Sequence, residues 1–260
     1  MMHDDGLDRS FLACHNLPSM PDQDSILTPA IEDYVKAIFA LEARTGEAVT
    51  TTALADRLGV TAGSVSAMLR RLDQLGLTTH EPYRGARLTA EGRRVALEVV
   101  RHHRLLELFL AQVLELPWDR VHAEAEVLEH VLSEELETRI ATMLGDPTHD
   151  PHGDPIPSAD FELPESTTES LETLEPGDSG VFVRVSDSDP AMLRYLAELS
   201  IAPGDRFGVI ERQPFGGPLA VEFGGQRHLI GGQLARAMRV ERDPSRRVAA
   251  GKEARDTAAA

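Results

Sequence analysis

The chain has 260 residues, 42% of them hydrophobic, a formal net charge of −17 and one cysteine. That length suits two or three small compact units; no apolar run approaches the ~20 residues of a membrane span, and acidic residues stand where a signal peptide carries basic ones, so a soluble, cytoplasmic protein is expected. The single cysteine, Cys14, excludes an intrachain disulfide framework and a thiolate metal cluster, which leaves nitrogen and oxygen to supply any metal ligands.

Residues 1–25 show no hydrophobic periodicity and read as a disordered extension. Thr28-Pro29 is a helix start, with Pro at the first helical position, and Ile31, Tyr34, Val35, Ile38, Phe39 and Leu41 keep a helical spacing to about Arg44. Asp33 and Lys36 fall nearer the other side of that helix. From Thr50 to Gly92, Thr52 is placed to cap a short helix over 53–58, Gly59 breaks it, Thr61 caps a second helix to about Leu75, and Gly76 ends that one. Two short helices around a Gly-containing turn form a helix-turn-helix, and the residues 77–81 and 86–89 flanking Pro82-Tyr83-Arg84-Gly85 read as a β-hairpin, which together make a winged helix.

Duplex DNA is a polyanion, so a net charge of −17 argues against it, but the charge is unevenly spread. Between Thr51 and Arg94 there are seven basic and four acidic residues, a basic segment in an acidic chain. Thr61, Ser64, Ser66 and Ala67 are small enough for the second helix to enter a major groove, and Arg70, Arg71 and Arg84 suit phosphate oxygens. A winged helix used only for protein contacts is the alternative.

From Thr89 a long helix is predicted to about Leu116, closed by Pro117. Asp119 is placed to cap the next one, which carries the run HAEAEVLEH from His122 to His130 and ends before Gly145. These helices hold more apolar surface than a wing needs, which points to a homodimer interface. Residues 161–175 have linker composition. Short strands then alternate with Gly and Pro turns, around a helix at about 191–199, as in a small β-barrel. The expected division is 1–25 extension, 26–94 winged helix, 95–160 metal-binding and dimerisation unit, 161–175 linker, 176–242 barrel and 243–260 disordered tail.

In a helix, His122, Glu126, Glu129 and His130 share one face. Two ligand sets can be drawn: Glu126, Glu129 and His130 with Asp33 brought from the first helix, and His103 and Glu107, an i, i+4 pair, with His122. A carboxylate-rich set with imidazole and no thiolate suits Mn(II), with Fe(II) possible. A solvated Glu/His face is the bland alternative. His102 falls within the apolar arc and reads as a core or interface histidine. Neither HExxH nor HxxEH occurs, which disfavours a metallohydrolase.

These residues resemble the diphtheria toxin repressor family of metal-dependent transcriptional repressors, and more closely its manganese transport regulators. The resemblance rests on IEDYVKAIFALE from Ile31, LADRLGVTAGSVSAMLRRL from Leu54, YRGARLTAEGRR from Tyr83, RHHRLLELFL from Arg101, VHAEAEVLEHVLSEELETRI from Val121 and DPHGDPIP from Asp150. It implies a mainly α protein with a winged helix-turn-helix, a helical dimerisation domain and a C-terminal SH3-like β-barrel. It further implies a primary metal site of Asp33, Glu126, Glu129 and His130 and an ancillary site of His103, Glu107 and His122. Lys36 departs from the pattern, standing where some two-domain manganese regulators have a glutamate that helps build a binuclear site; a charged lysine cannot ligate. The barrel of three-domain members can lend a ligand to the ancillary site, for which Asp189 is the first candidate here, with Asp187 and Met192 as others. The implied function is a homodimeric, cytoplasmic, Mn(II)-dependent repressor that binds operator DNA and controls manganese uptake genes; an Fe(II)-responsive repressor is the alternative, followed by a metal-binding hydrolase or buffer.

Overall fold

The computed structural model describes residues 27–81, 85–164 and 167–244. Cys14, Arg84, the hairpin tip and the two terminal segments therefore lie outside the described residues. Helix α1 (Pro29–Thr45) buries Ile31, Tyr34, Val35, Ala37, Ile38, Phe39 and Leu41, and its half-buried face carries Glu32, Asp33 and Lys36. Thr28 occupies the capping position without a capping hydrogen bond, leaving Pro29 to fix the start.

Helix α2 (Thr51–Leu58) begins two residues earlier than its sequence suggests, because Thr50 rather than Thr52 caps it, accepting from the Ala53 amide at 3.2 Å. Gly59, at φ 65°, makes the left-handed turn into α3 (Ala62–Gln74), where Thr61 accepts from the Ser64 amide at 3.2 Å. Strands β1 (Thr78–Glu81) and β2 (Gly85–Leu88) form the antiparallel wing, with Thr78 opposite Leu88. Ile31, Val35, Ile38, Leu54, Val65, Leu69 and Leu72 close a common core beneath these elements, each contributing about 1.5–3 kcal/mol by burial.

Helix α4 (Ala90–Gln112), capped by Thr89, runs out of this core into a second one of Leu105, Leu106, Leu108, Ala125, Ile140 and Ile156. It stops short of Leu116, since Glu115 takes φ 55° and the Leu116 amide turns back to the Leu110 carbonyl at 3.0 Å. The single helix expected over the His122–His130 run is in fact two. Helix α5 (Val121–Leu128) gives way to a turn, and α6 (Glu134–Met143) restarts where Ser133 accepts from the Leu136 amide at 3.3 Å. Asp119 does not cap α5; it accepts from Arg194 at 3.1 Å. Glu129 and His130 consequently sit in the turn, and the apolar residues spaced along the run part ways: Val121 and Ala125 are buried, whereas Leu128 and Leu136 are exposed.

The C-terminal unit is a six-stranded antiparallel sheet in the order β3-β8-β4-β5-β6-β7. Its strands are β3 (Glu169–Ser170), β4 (Ser179–Val185), β5 (Arg206–Arg212), β6 (Leu219–Phe223), β7 (Gln226–Ile230) and β8 (Met238–Arg242), with helices α7 (Pro190–Glu198) and α8 (Gly232–Ala237). Phe182, Leu193, Leu196, Val221 and Met238 fill its core. It starts inside the expected linker, because β3 pairs with β8 and Leu171 and Leu174 are fully buried. The segment before it is tied down too: Phe161 and Leu163 pack on the first core, with the Arg94 guanidinium 6.0 Å from the Phe161 ring centre.

Candidate metal centre

Acids and histidines converge where α1, α4, the end of α5 and the turn after β4 meet, in groups whose ligand atoms lie within 4.8 Å of one another. In the first group, His130 Nε2 stands 3.1 Å from Asp33 Oδ1 and 3.7 Å from Glu129 Oε1. Its other nitrogen, Nδ1, donates to Glu32 Oε2 at 2.5 Å. A carboxylate on one ring nitrogen fixes the tautomer and turns the lone pair of the other toward a metal. Glu32 was not among the sequence candidates, although it adjoins Asp33. Burial pushes the Asp33 carboxyl up, against the pull of His130 and Lys36.

Glu126 is placed with the first set by the sequence, but its carboxylate is turned away toward Lys36. The Lys36 ammonium donates to Glu126 Oε1 at 2.7 Å and to the two Glu129 oxygens at 2.7 and 2.8 Å, with His103 Nδ1 at 3.3 Å. Glu126 thereby joins His103 and Glu129 in a group of their own. The lysine supplies a positive charge where carboxylates would otherwise repel. Despite burial, His103 and Lys36 hold the Glu129 carboxyl below its ordinary range.

The second set is compact. His103 Nε2 lies 3.0 Å from Glu107 Oε1 and 3.0 Å from His122 Nδ1, and His122 Nδ1 lies 3.1 Å from Glu107 Oε1 and 3.0 Å from Asp187 Oδ2. Ligands about 2.1 Å from an ion at right angles stand about 3.0 Å apart, so these edges fit a small divalent cation. Asp187, in the turn two residues past β4, is the residue that the C-terminal unit contributes. Asp189 does not reach the set: it caps α7, accepting from the Ala191 amide at 2.9 Å, and Met192 packs against the sheet core. Asp187 and Glu107 together push His122 up to about 10. His103 is also raised, burial being outweighed by Glu107 and Glu129.

One ring therefore joins the two sets, since His103 Nδ1 hydrogen-bonds Glu129 while its Nε2 faces Glu107 and His122. His102, by contrast, is buried between the Glu129 carbonyl at 3.2 Å and Glu137 Oε2 at 3.1 Å, in a packing role.

On the helix-turn-helix, Thr61, Ser64, Ala67, Arg70 and Arg71 are exposed. Thr61 is engaged as a cap and bonds Ser64 Oγ at 3.0 Å, and the half-buried Ser66 donates to its own helix at Ala62 O, 2.9 Å. On the second unit, Val127, Val131 and Met143 are 70, 78 and 67% exposed. Apolar side chains so far out of the core call for a partner surface.

Residues 26–86 match the model of the iron dependent repressor N-terminal DNA binding domain, 89–158 that of the iron dependent repressor metal binding and dimerisation domain, and 169–242 the FeoA domain. The iron-dependent repressor IdeR of Mycobacterium tuberculosis is 33% identical over 229 residues, covering 83% of this chain and 98% of its own. The chain belongs to the diphtheria toxin repressor family. The diphtheria toxin repressor of Corynebacterium efficiens is 32% identical over 228 residues, covering 83% of this chain and 96% of its own. A solved manganese-dependent transcriptional repressor in complex with manganese superposes with a TM-score of 0.75 at 42% identity, covering 81% of this chain and 98% of that one. As a member of the family the chain is a metal-dependent transcriptional repressor, not an enzyme, built of a winged-helix DNA-binding domain, a metal-binding dimerisation domain and an SH3-like domain. No described helix is long and apolar enough to cross a membrane.

Proposed function

We propose that this repressor reads manganese(II): as a cytoplasmic homodimer with the ion bound, it occupies operator DNA and shuts off manganese uptake genes. The donor set carries this reading. Asp33, Glu129 and His130 in one set, and His103, Glu107, His122 and Asp187 in the other, offer oxygen and imidazole nitrogen without a sulfur ligand, a choice that suits Mn(II). Glu126 completes the first set once its carboxylate leaves Lys36. Iron(II) is the second reading, favoured by the imidazoles in both sets.

A bound ion supplies positive charge that lets these carboxylates converge. Asp33 belongs to the DNA-binding unit, whereas Glu129 and His130 belong to the dimerisation unit, so their convergence fixes one unit against the other and with it the spacing of the paired α3 helices. Ser64, Ala67, Arg70 and Arg71 are the residues of α3 placed to meet DNA, Thr61 setting the helix start, and Val127, Val131 and Met143 the apolar face placed to meet a second copy. Converting a mostly inactive repressor into a mostly active one takes about 10⁴-fold tighter metal binding to the active form.

The test is a titration of labelled promoter DNA from a manganese uptake gene with metal-free protein, adding Mn²⁺ or Fe²⁺ anaerobically at fixed salt. Binding at lower free Mn²⁺ than Fe²⁺ is expected. The reverse order assigns iron, and DNA binding indifferent to metal overturns the sensor.

A further inference from the structure

Helix α4 passes from one core to the other within a single turn. Val100 is its last residue in the first core and Leu105 its first in the second. Arg101 and Arg104 stand between them, and with Arg94 they follow a spacing of seven and then three residues, which keeps the three guanidiniums toward one face of the helix. All three reach the same stretch of chain. Arg104 donates to the Pro155 carbonyl, the buried Arg101 donates to the Pro157 carbonyl at 2.6 Å while its Nε holds Glu137 at 2.5 Å, and Arg94 lies over the Phe161 ring.

The stretch from Pro155 to Leu163 thus runs back along α4 toward the DNA-binding unit and enters both cores. Ile156 is buried in the second, and Phe161 and Leu163 pack on the first. Between these anchors the chain closes a loop on Ser158. The Ser158 amide donates to the Glu162 carbonyl and its carbonyl accepts from the Phe161 amide, each at 2.9 Å, while its Oγ accepts from the Asp160 and Glu162 amides at 3.2 and 3.1 Å. Phe161 takes φ 59°, a left-handed conformation that a bulky residue keeps only where its surroundings compel it. Here the loop behind it and the core in front do so.

We propose that Phe161 and Leu163 are positioning residues for DNA binding: the stretch they end is a strap that holds the DNA-binding unit against the dimerisation unit in the absence of metal. The other links across this junction are ionic, from Glu32, Asp33 and Lys36 to Glu126, Glu129 and His130, whereas the strap adds an apolar one. Residues 159–163 also fall between the matched family domains, at 89–158 and 169–242. Apparent affinity falls in proportion to the fraction of molecules in the competent arrangement, so a strap that limits the swing of the DNA-binding unit raises affinity for the operator without touching it. This consequence rests on the operator-binding reading; the restraint itself does not.

The test compares the full-length wild type with Phe161→Ala/Leu163→Ala. Nitroxide labels at Asp56→Cys on α2 and Thr138→Cys on α6, both exposed, in a Cys14→Ser background diluted into unlabelled protein, report the distance between the units by pulsed electron paramagnetic resonance in chelator. A narrow distribution is expected for wild type and a broad one for the double variant. Ser158→Ala, which unties the loop and keeps the apolar side chains, should fall between them, and Phe161→Leu close to wild type. At saturating Mn²⁺ the double variant should bind operator about tenfold more weakly, while Mn²⁺ affinity at the second set stays as in wild type, a split that a general loss of folding does not produce. Melts in chelator check folding, and where the double variant does not fold, Ser158→Ala carries the same comparison. An unchanged distribution overturns the restraint; a broadened one with unchanged operator affinity overturns the positioning role. If the wild type itself ignores operator DNA, the sensor reading and the positioning role fall together, and the distances in chelator still decide whether the strap restrains the units.

Discussion

Lys36 makes the metal-free form testable on its own. Replacing it by methionine keeps most of the stem and removes the ammonium that spans Glu126 and Glu129. Glu126 is 41% exposed at its side chain, so water takes over much of its share, but the Glu129 side chain is fully buried and loses a partner. Removing one member of a buried pair costs about 3–5 kcal/mol, and with the Glu126 share discounted about 3 kcal/mol is expected. At about 2–4 °C per kcal/mol for a chain of this size, that lowers the melting temperature in chelator by about 6–12 °C. Saturating Mn²⁺ should narrow the gap, because Glu129 then has another cation. The assay is a thermal melt of both proteins, with chelator and with Mn²⁺. Melting in chelator within about 2 °C of wild type, or a gap that Mn²⁺ leaves untouched, would refute the assignment of Lys36 as the resident counter-charge.

Glu32→Gln replaces the carboxylate behind His130 with a weaker acceptor and should weaken Mn²⁺ binding at the first set about 10–100-fold, read by calorimetry, with the melt in chelator nearly unchanged. Asp187→Asn should weaken Mn²⁺ binding at the second set, whereas Asp189→Ala should cost about 1 kcal/mol as a lost helix cap and leave binding alone; equal effects on binding would reverse the assignment. The metal-free protein should also lose stability as pH rises. His122 is raised to about 10 by Asp187 and Glu107. A histidine raised above its unfolded value near 6.5 contributes fully below that pH and loses its contribution as pH climbs through the folded value. Melts in chelator should therefore fall between about pH 7 and 10, and saturating Mn²⁺, which takes the place of that proton, should flatten the fall.

Periodicity exposed most of the fold before any coordinates. The face of α1 is legible because Ile31, Val35 and Ile38 repeat at the spacing that one buried side requires. What escaped were decisions taken by single polar atoms. Ser133 followed by Glu134 and Glu135 is a helix start, but it is hidden inside a run that looks continuously helical, so two helices read as one. Asp189 precedes Pro190, the pattern of a cap followed by a proline at the first helical position; weighing that local chemistry would have freed Asp187 for the metal set. The contact of Glu126 with Lys36 is hidden for another reason. Helical phase aligns Glu126 with His130, but the ammonium that draws it away comes from Lys36, 90 residues distant in sequence. Such long-range electrostatics have no trace in local spacing.

The imidazole of His103 carries one further consequence. A neutral ring has a single N–H, and it can sit on either nitrogen. Once the lone pair of Nε2 is committed on the side of Glu107 and His122, the hydrogen has only Nδ1 left, where it points at Glu129. Filling one side of the ring thus leaves the hydrogen on the other, still donating to Glu129, and takes the ring from charged to neutral. The state of the second set reaches the first as the charge of one ring, passed across five ring atoms without any helix having to move.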